Sequence, residues 1–178
     1  MIEHNKKLSA AVHYICAECS DPGLLGSTKL NKILLFSDIQ SYIKTGETIT
    51  GAIYEKMQFG PVPVGIKQST NYLEHNGKIL IRKADPPKRY HDEYISLEDP
   101  DGDISVDGLD ILLEQANYIM HNYTAREISD LSHNIVWESA AMGEEIPMSA
   151  YLVCIEGKIE DKDIEWANGV VSKMSKGI

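Results

Sequence analysis

Between residues 3 and 20 apolar side chains recur every three or four positions, at Leu8, Val12, Ile15, Cys16 and Cys19. That spacing follows the turn of an α-helix and predicts an amphipathic one. A break at "DPGLLG" separates it from a second helical run, residues 28–44, apolar at Leu30, Ile33, Leu34, Leu35, Phe36, Ile39 and Ile43. So wide an apolar surface predicts a central helix covered on most sides. Ser27 or Thr28 offers a hydroxyl to cap its start, and "TGETITG" ends it. Residues 52–59 fit either a strand or irregular chain. Residues 61–76 read as a helix with Pro61 or Pro63 in its first turn, where a missing N–H costs nothing, and Asn76-Gly77 as its end.

The β-capable runs "KILIRKA" and "RYHDEYISL" flank "DPPK" and predict a hairpin. An acidic loop follows. Leu109, Leu112, Leu113, Ala116, Ile119, Met120 and Tyr123 then mark another helix. Thr124 with Glu127 forms a capping box for the short helix "AREISDLSH". "WESAAMGEEIP" reads as a short helix and a turn, and Asp161 caps a last helix reaching about Ser175. No repeat, low-complexity tract or long linker divides the chain. The expected fold is α+β and mainly helical: a single-domain helical bundle over residues 1–178, with a small β-hairpin or sheet between helices.

Composition adds a few limits. The 178 residues are 43% hydrophobic and 25% charged, ordinary for a globular protein. No apolar run approaches the ~20 residues of a membrane span, and no signal-peptide core opens the chain. The expectation is a cytoplasmic protein. Seventeen basic against 27 acidic residues leave a net charge of −10, which argues against a general nucleic-acid binder. Three cysteines, Cys16, Cys19 and Cys154, read as reduced thiols.

Candidate chemistry is sparse. Cys16 and Cys19 form a lone Cys-x-x-Cys with no second pair to complete a zinc site, and they lie on the apolar side of a helix. Asp99, Asp101, Asp103, Ser105, Asp107 and Asp110 have calcium-loop spacing, but Ile104 stands where the turn needs glycine and Asp110 where a Glu is usual. A solvated loop leading into a helix explains the same residues. Ser132 and His133 are neighbours, which on a helix point about 100° apart and so do not make a nucleophile and its base. Arg82, Lys83, Lys88 and Arg89 gather at the hairpin tip, a basic ribbon that would fit a DNA groove only weakly. No catalytic, cofactor or metal residue is assigned.

Two blocks carry a resemblance. In 28–63 they are Lys29, Leu30, Lys32, Ile33, Leu34 and Phe36, then Tyr54, then Phe59, Gly60, Pro61, Val62 and Pro63. In 124–147 they are Leu131, Ser132, His133, Trp137, Gly143, Glu144, Ile146 and Pro147. Together these resemble the Panacea domain, the family of SocA-like antitoxins and phage-associated GepA-like proteins. Members often place a Tyr after the Ile-Pro; here Met148 stands there, with Tyr151 nearby.

The resemblance implies a mainly helical fold with a small β element. It also implies an antitoxin that holds a cognate toxin, expected from an adjacent gene, rather than turning over a substrate. Delivery of a partner to a protease, or DNA binding through the hairpin tip, are the alternatives. Lys29, Lys32, Phe36, Tyr54, Phe59 to Pro63, Ser132, His133 and Trp137 are the candidate structural or partner-binding residues. Proline has already lost its φ freedom and glycine permits close approach, so Phe59 to Pro63 read as a stiff corner. Its side chains either lock the central helix to the next one or touch a partner. Leu131 and Trp137 read as core.

Overall fold

Helix α2, Ser27–Thr45, runs through the middle of the fold, touching α1 (Lys6–Glu18), α4 (Val106–Asn122), α5 (Ala125–Leu131) and strand β2 (Gly60–Pro63). The computed structural model describes residues 4–84 and 91–154. In chain order its remaining elements are β1 (Tyr54–Met57), α3 (Ile66–His75), β3 (Ile79–Lys83), β4 (Asp92–Ser96), α6 (Ile135–Ser139) and β5 (Glu145–Ile146). Short 3-10 turns cover Pro22–Leu24 and Met148–Cys154. The fold is mainly helical α+β, as expected. Among the described residues no helix is long and apolar enough to cross a membrane.

The apolar stripes read from the sequence meet in one main core. Leu8, Val12 and Ile15 of α1 pack with Leu30, Ile33 and Leu34 of α2, Leu73 of α3, Ile79 and Tyr94 of the β3–β4 ribbon, and Leu112 and Ile119 of α4. Cys16 and Cys19 belong to it as free thiols, and burial pushes both thiol pKa values up. A smaller core joins Leu35, Tyr54, Val136, Ile146 and Tyr151.

Local signals explain most boundaries. Asn5 caps α1, accepting from Leu8 N–H at 3.0 Å. Thr124 and Glu127 form the reciprocal capping box at α5. Ser105 caps α4 by accepting from Gly108 N–H, and Asp107 lies in its first turn, so the acidic loop leads into a helix dipole. Asp101 of that loop pairs with Lys78 at 2.5 Å.

Three expectations change. Residues 61–76 are not one helix: Gly60–Pro63 is a strand, and α3 begins at Ile66. Proline suits an edge strand as well as a first helical turn, because neither position needs its N–H. Tertiary pairing decides, since β2 is the edge of an antiparallel sheet ordered β2-β1-β5. Neither Ser27 nor Thr28 caps α2; its N-cap is Gly26, without a side-chain cap. Leu131 is exposed rather than core. The ribbon is present, with Ile79 opposite Ser96 and Lys83 opposite Asp92. Lys88 and Arg89, and the helix expected from Asp161, lie outside the described residues.

One buried carboxylate closes the turn after α2. Asp38 is fully buried. It accepts from Ile49 N–H at 2.8 Å, Thr50 N–H at 2.9 Å, Thr50 Oγ1 at 2.5 Å and Tyr54 Oη at 2.8 Å. Burial raises its pKa, and the bonds from Thr50, Tyr54 and Ile49 oppose the rise. The contacts fold residues 49–54 back against α2 and deliver the chain into β1. Asp38→Ala leaves buried donors without an acceptor, and a loss of about 3 kcal/mol or more is expected. Urea denaturation measures it, with Asp38→Asn losing less.

Candidate functional site

The β1–β2 connection is a two-residue turn, Gln58-Phe59, between the paired residues Met57 and Gly60. Gly60 has φ +91°, a conformation that suits only glycine without strain. It also has no room for a side chain. A Cβ there would strike Ser132 Oγ and lie 2.7 Å from Lys32 Nζ. Pro61 and Pro63 then occupy the sheet edge, where the missing N–H groups also deter pairing with another chain.

Side chains from three other elements hold this hairpin. From α2, Lys32 Nζ donates to the Pro61 carbonyl at 2.7 Å. From α5, Ser129 Oγ donates to the Phe59 carbonyl at 3.1 Å. Ser132 Oγ donates to the Ser129 carbonyl at 2.7 Å rather than to the ring of His133. From α6, Trp137 Nε1 donates to the Met57 carbonyl at 3.1 Å. The Trp137 ring stacks on His133 with centroids 3.9 Å apart and planes 16° from parallel. Lys56 Nζ lies 4.1 Å from the Trp137 ring centroid and donates to the Ala140 carbonyl at 2.9 Å. The two sequence blocks thus meet: the Gly-Pro corner is clamped by the Leu-Ser-His and Trp segment.

Other candidate residues lie elsewhere. Lys29 is buried and donates to the Met120 carbonyl at 3.0 Å. That carbonyl belongs to the last turn of α4, where a cation complements the helix dipole. Tyr54 is buried with Asp38. Phe36 packs, half-buried, against the main core. Val62 lines a separate cleft with Asn31, Ile66 and Tyr94. Among the described residues neither lysine forms an ion pair; each donates to a backbone carbonyl. Burial lowers both, and Lys32 falls to about 7. His133 is also lowered, by burial first and then by the charge of Lys32.

What the clamp leaves outside includes several apolar side chains. Phe59 is 61% exposed, and Met57, Leu131 and Ile135 are exposed as well. Phe59 and His133 line a cleft of about 460 Å³ with Thr28, Arg126 and Ser129. Ile135 lines a second, of about 360 Å³, with Val136, Ala150 and Val153. Sequence reading missed Asp38, Ser129 and Lys56. Asp38 left one signal, as the sole acidic residue in the apolar run 28–44.

The family described as antitoxin SocA-like, Panacea domain, matches residues 30–138, a span from α2 into α6 that holds Lys32, Phe59, Pro61, Ser129, Ser132 and Trp137. The chain belongs to this family. No curated protein and no solved structure matches it.

Gly60→Ala forces a Cβ into occupied space at a positive φ, and a loss of roughly 2 kcal/mol or more is expected. Thermal or urea unfolding checks it. A Gly46→Ala control has a positive φ but no atom within 4 Å of the new Cβ, so it separates strain from collision.

Proposed function

We propose that this protein is an antitoxin that neutralises a cognate toxin by direct binding, with the exposed face of the β1–β2 hairpin and the α5–α6 segment as its contact surface. The observation that supports this most is Phe59. Its side chain is 61% exposed, while the backbone around it is tied down through Met57, Phe59 and Pro61 carbonyls. An exposed aromatic on a fixed backbone is suited to binding, because little further ordering is required when a partner arrives. Aromatic anchors also dominate interface energies. Met57, Leu131 and Ile135 supply apolar surface near it, and the clefts beside Phe59 and Ile135 offer recesses for partner side chains.

The β3–β4 ribbon gives less support to a DNA-binding role. Arg82 pairs with Glu93 at 2.9 Å, and Lys83 pairs with Asp92, so these charges are compensated within the ribbon. Delivery to a protease would use the same contact surface and differ only in the fate of the toxin.

The test is co-expression with the product of the adjacent gene, followed by co-purification and a growth assay. Restored growth with undiminished toxin supports blocking; restored growth with falling toxin supports delivery. If no neighbouring product is toxic, or toxicity persists, the antitoxin reading is lost. Phe59→Ala is expected to weaken the complex about 30-fold, equivalent to about 2 kcal/mol, without altering stability. Leu80→Ala, an exposed apolar site on the ribbon, is expected to leave affinity unchanged.

A further inference from the structure

A primary amine is an unusual tether to seal beneath a hairpin. Lys32 is 1% exposed, and its Nζ donates to the Pro61 carbonyl. An ammonium has three donors to satisfy and a charge that a dry site solvates poorly. Among the described residues no carboxylate lies within ion-pair distance of it. On the Gly60 side the space is full. Even a methyl group at Gly60 would sit 2.7 Å from Nζ and collide with Ser132, so that side leaves no room for water.

The surrounding titratable groups do not offset this. Strand β2 carries none, and β1 carries Glu55 and Lys56. On α2, Lys29 is bound to the Met120 carbonyl and Asp38 to Thr50 and Tyr54. On α5, Glu127 closes the capping box, and Asp130 faces Arg126 at 3.9 Å. Glu138 of α6 is exposed. His133, at the α5–α6 turn, feels the charge of Lys32 as a repulsion.

We propose that Lys32 is a proton-sensitive latch for the hairpin. The neutral amine holds β2 down, and proton uptake favours an opened hairpin in which the ammonium reaches water. Opening would displace Phe59 from its fixed position, so acidification would weaken the contact surface. That consequence rests on the antitoxin reading; the latch itself does not. Burial holds the closed-state amine at about 7, against an ordinary value of about 10.4. The open state therefore binds more protons between these values. Opening becomes easier as pH falls across that window, by up to about tenfold per unit, and levels off below about 7. His133, lowered from its ordinary value, adds a smaller change in the same direction at more acidic pH.

The test uses the isolated full-length chain. Pulsed amide hydrogen exchange, corrected for intrinsic rates, is compared at pH 9 and pH 7.5. Protection of residues 54–62 is expected to fall about 20-fold, while α4 changes little. Lys32→Met is expected to remove the dependence. Should that variant not fold, carbon NMR of the wild-type Lys32 side chain decides instead. A titration near 7 supports the latch, and one near 10 overturns it. Equal protection at both pH values, or the wild-type slope retained in Lys32→Met, also overturns it. A chain that binds no partner yet shows the expected exchange pattern sinks the antitoxin reading and supports the latch.

Discussion

Helix α2 buries two lysines and an aspartate, and a charged group withdrawn from water is stable only where fixed partners meet it. Those partners lie in three different places. Lys29 reaches the last turn of α4, Lys32 reaches the edge strand β2, and Asp38 gathers residues 49–54. Apolar packing is strong but non-directional, and a smooth apolar helix could rotate or slide against its neighbours at modest cost. A hydrogen bond of fixed length does not allow that. The three polar tethers therefore set the register of α2 against each neighbour, and the apolar core supplies the driving force. Breaking one tether leaves an uncompensated buried group, which is why a helix so rich in leucine and isoleucine depends on its few polar positions.

The periodic elements were legible because period is a local property. The stripe at Leu8, Val12 and Ile15 and the capping box at Thr124 both carry their meaning within a few residues. The corner was not legible in the same way. Pro61 and Pro63 satisfy the rule for a helix start and the rule for an edge strand, and only pairing with β1 separates the two. Gly60 could be singled out by resemblance, but its reason could not. The side chains that forbid a Cβ there, Lys32 and Ser132, come from distant parts of the chain. The orientation of each residue was hidden for the same cause: Leu131 and Ser132 are neighbours, yet one faces solvent and the other is buried.

That alternation divides the residues that carry the resemblance into two groups. Gly60, Pro61, Lys32 and Ser132 face inward and fix the backbone. Phe59 and Leu131 face outward from the same short segments. Trp137 belongs to both, since its indole N–H holds Met57 and its ring covers His133. A motif read as a string of letters mixes these roles, and the structure sorts them by direction.

The division has a thermodynamic consequence. Fixing one residue's backbone costs about 1–2 kcal/mol, and a flexible loop would meet that cost when a partner binds. Here folding has already met it at Phe59 and the residues flanking it, through tethers from Lys32, Ser129 and Trp137. Outward side chains could therefore be exchanged to suit different partners without disturbing what holds them. The same separation locates the point of vulnerability. Of the groups in the clamp, Lys32 is the buried amine with no carboxylate in ion-pair distance among the described residues, so whatever disturbs its bond to Pro61 acts on the hairpin backbone rather than on one surface contact. Under the proposed latch, the hairpin that carries Phe59 stays fixed only while that amine stays neutral.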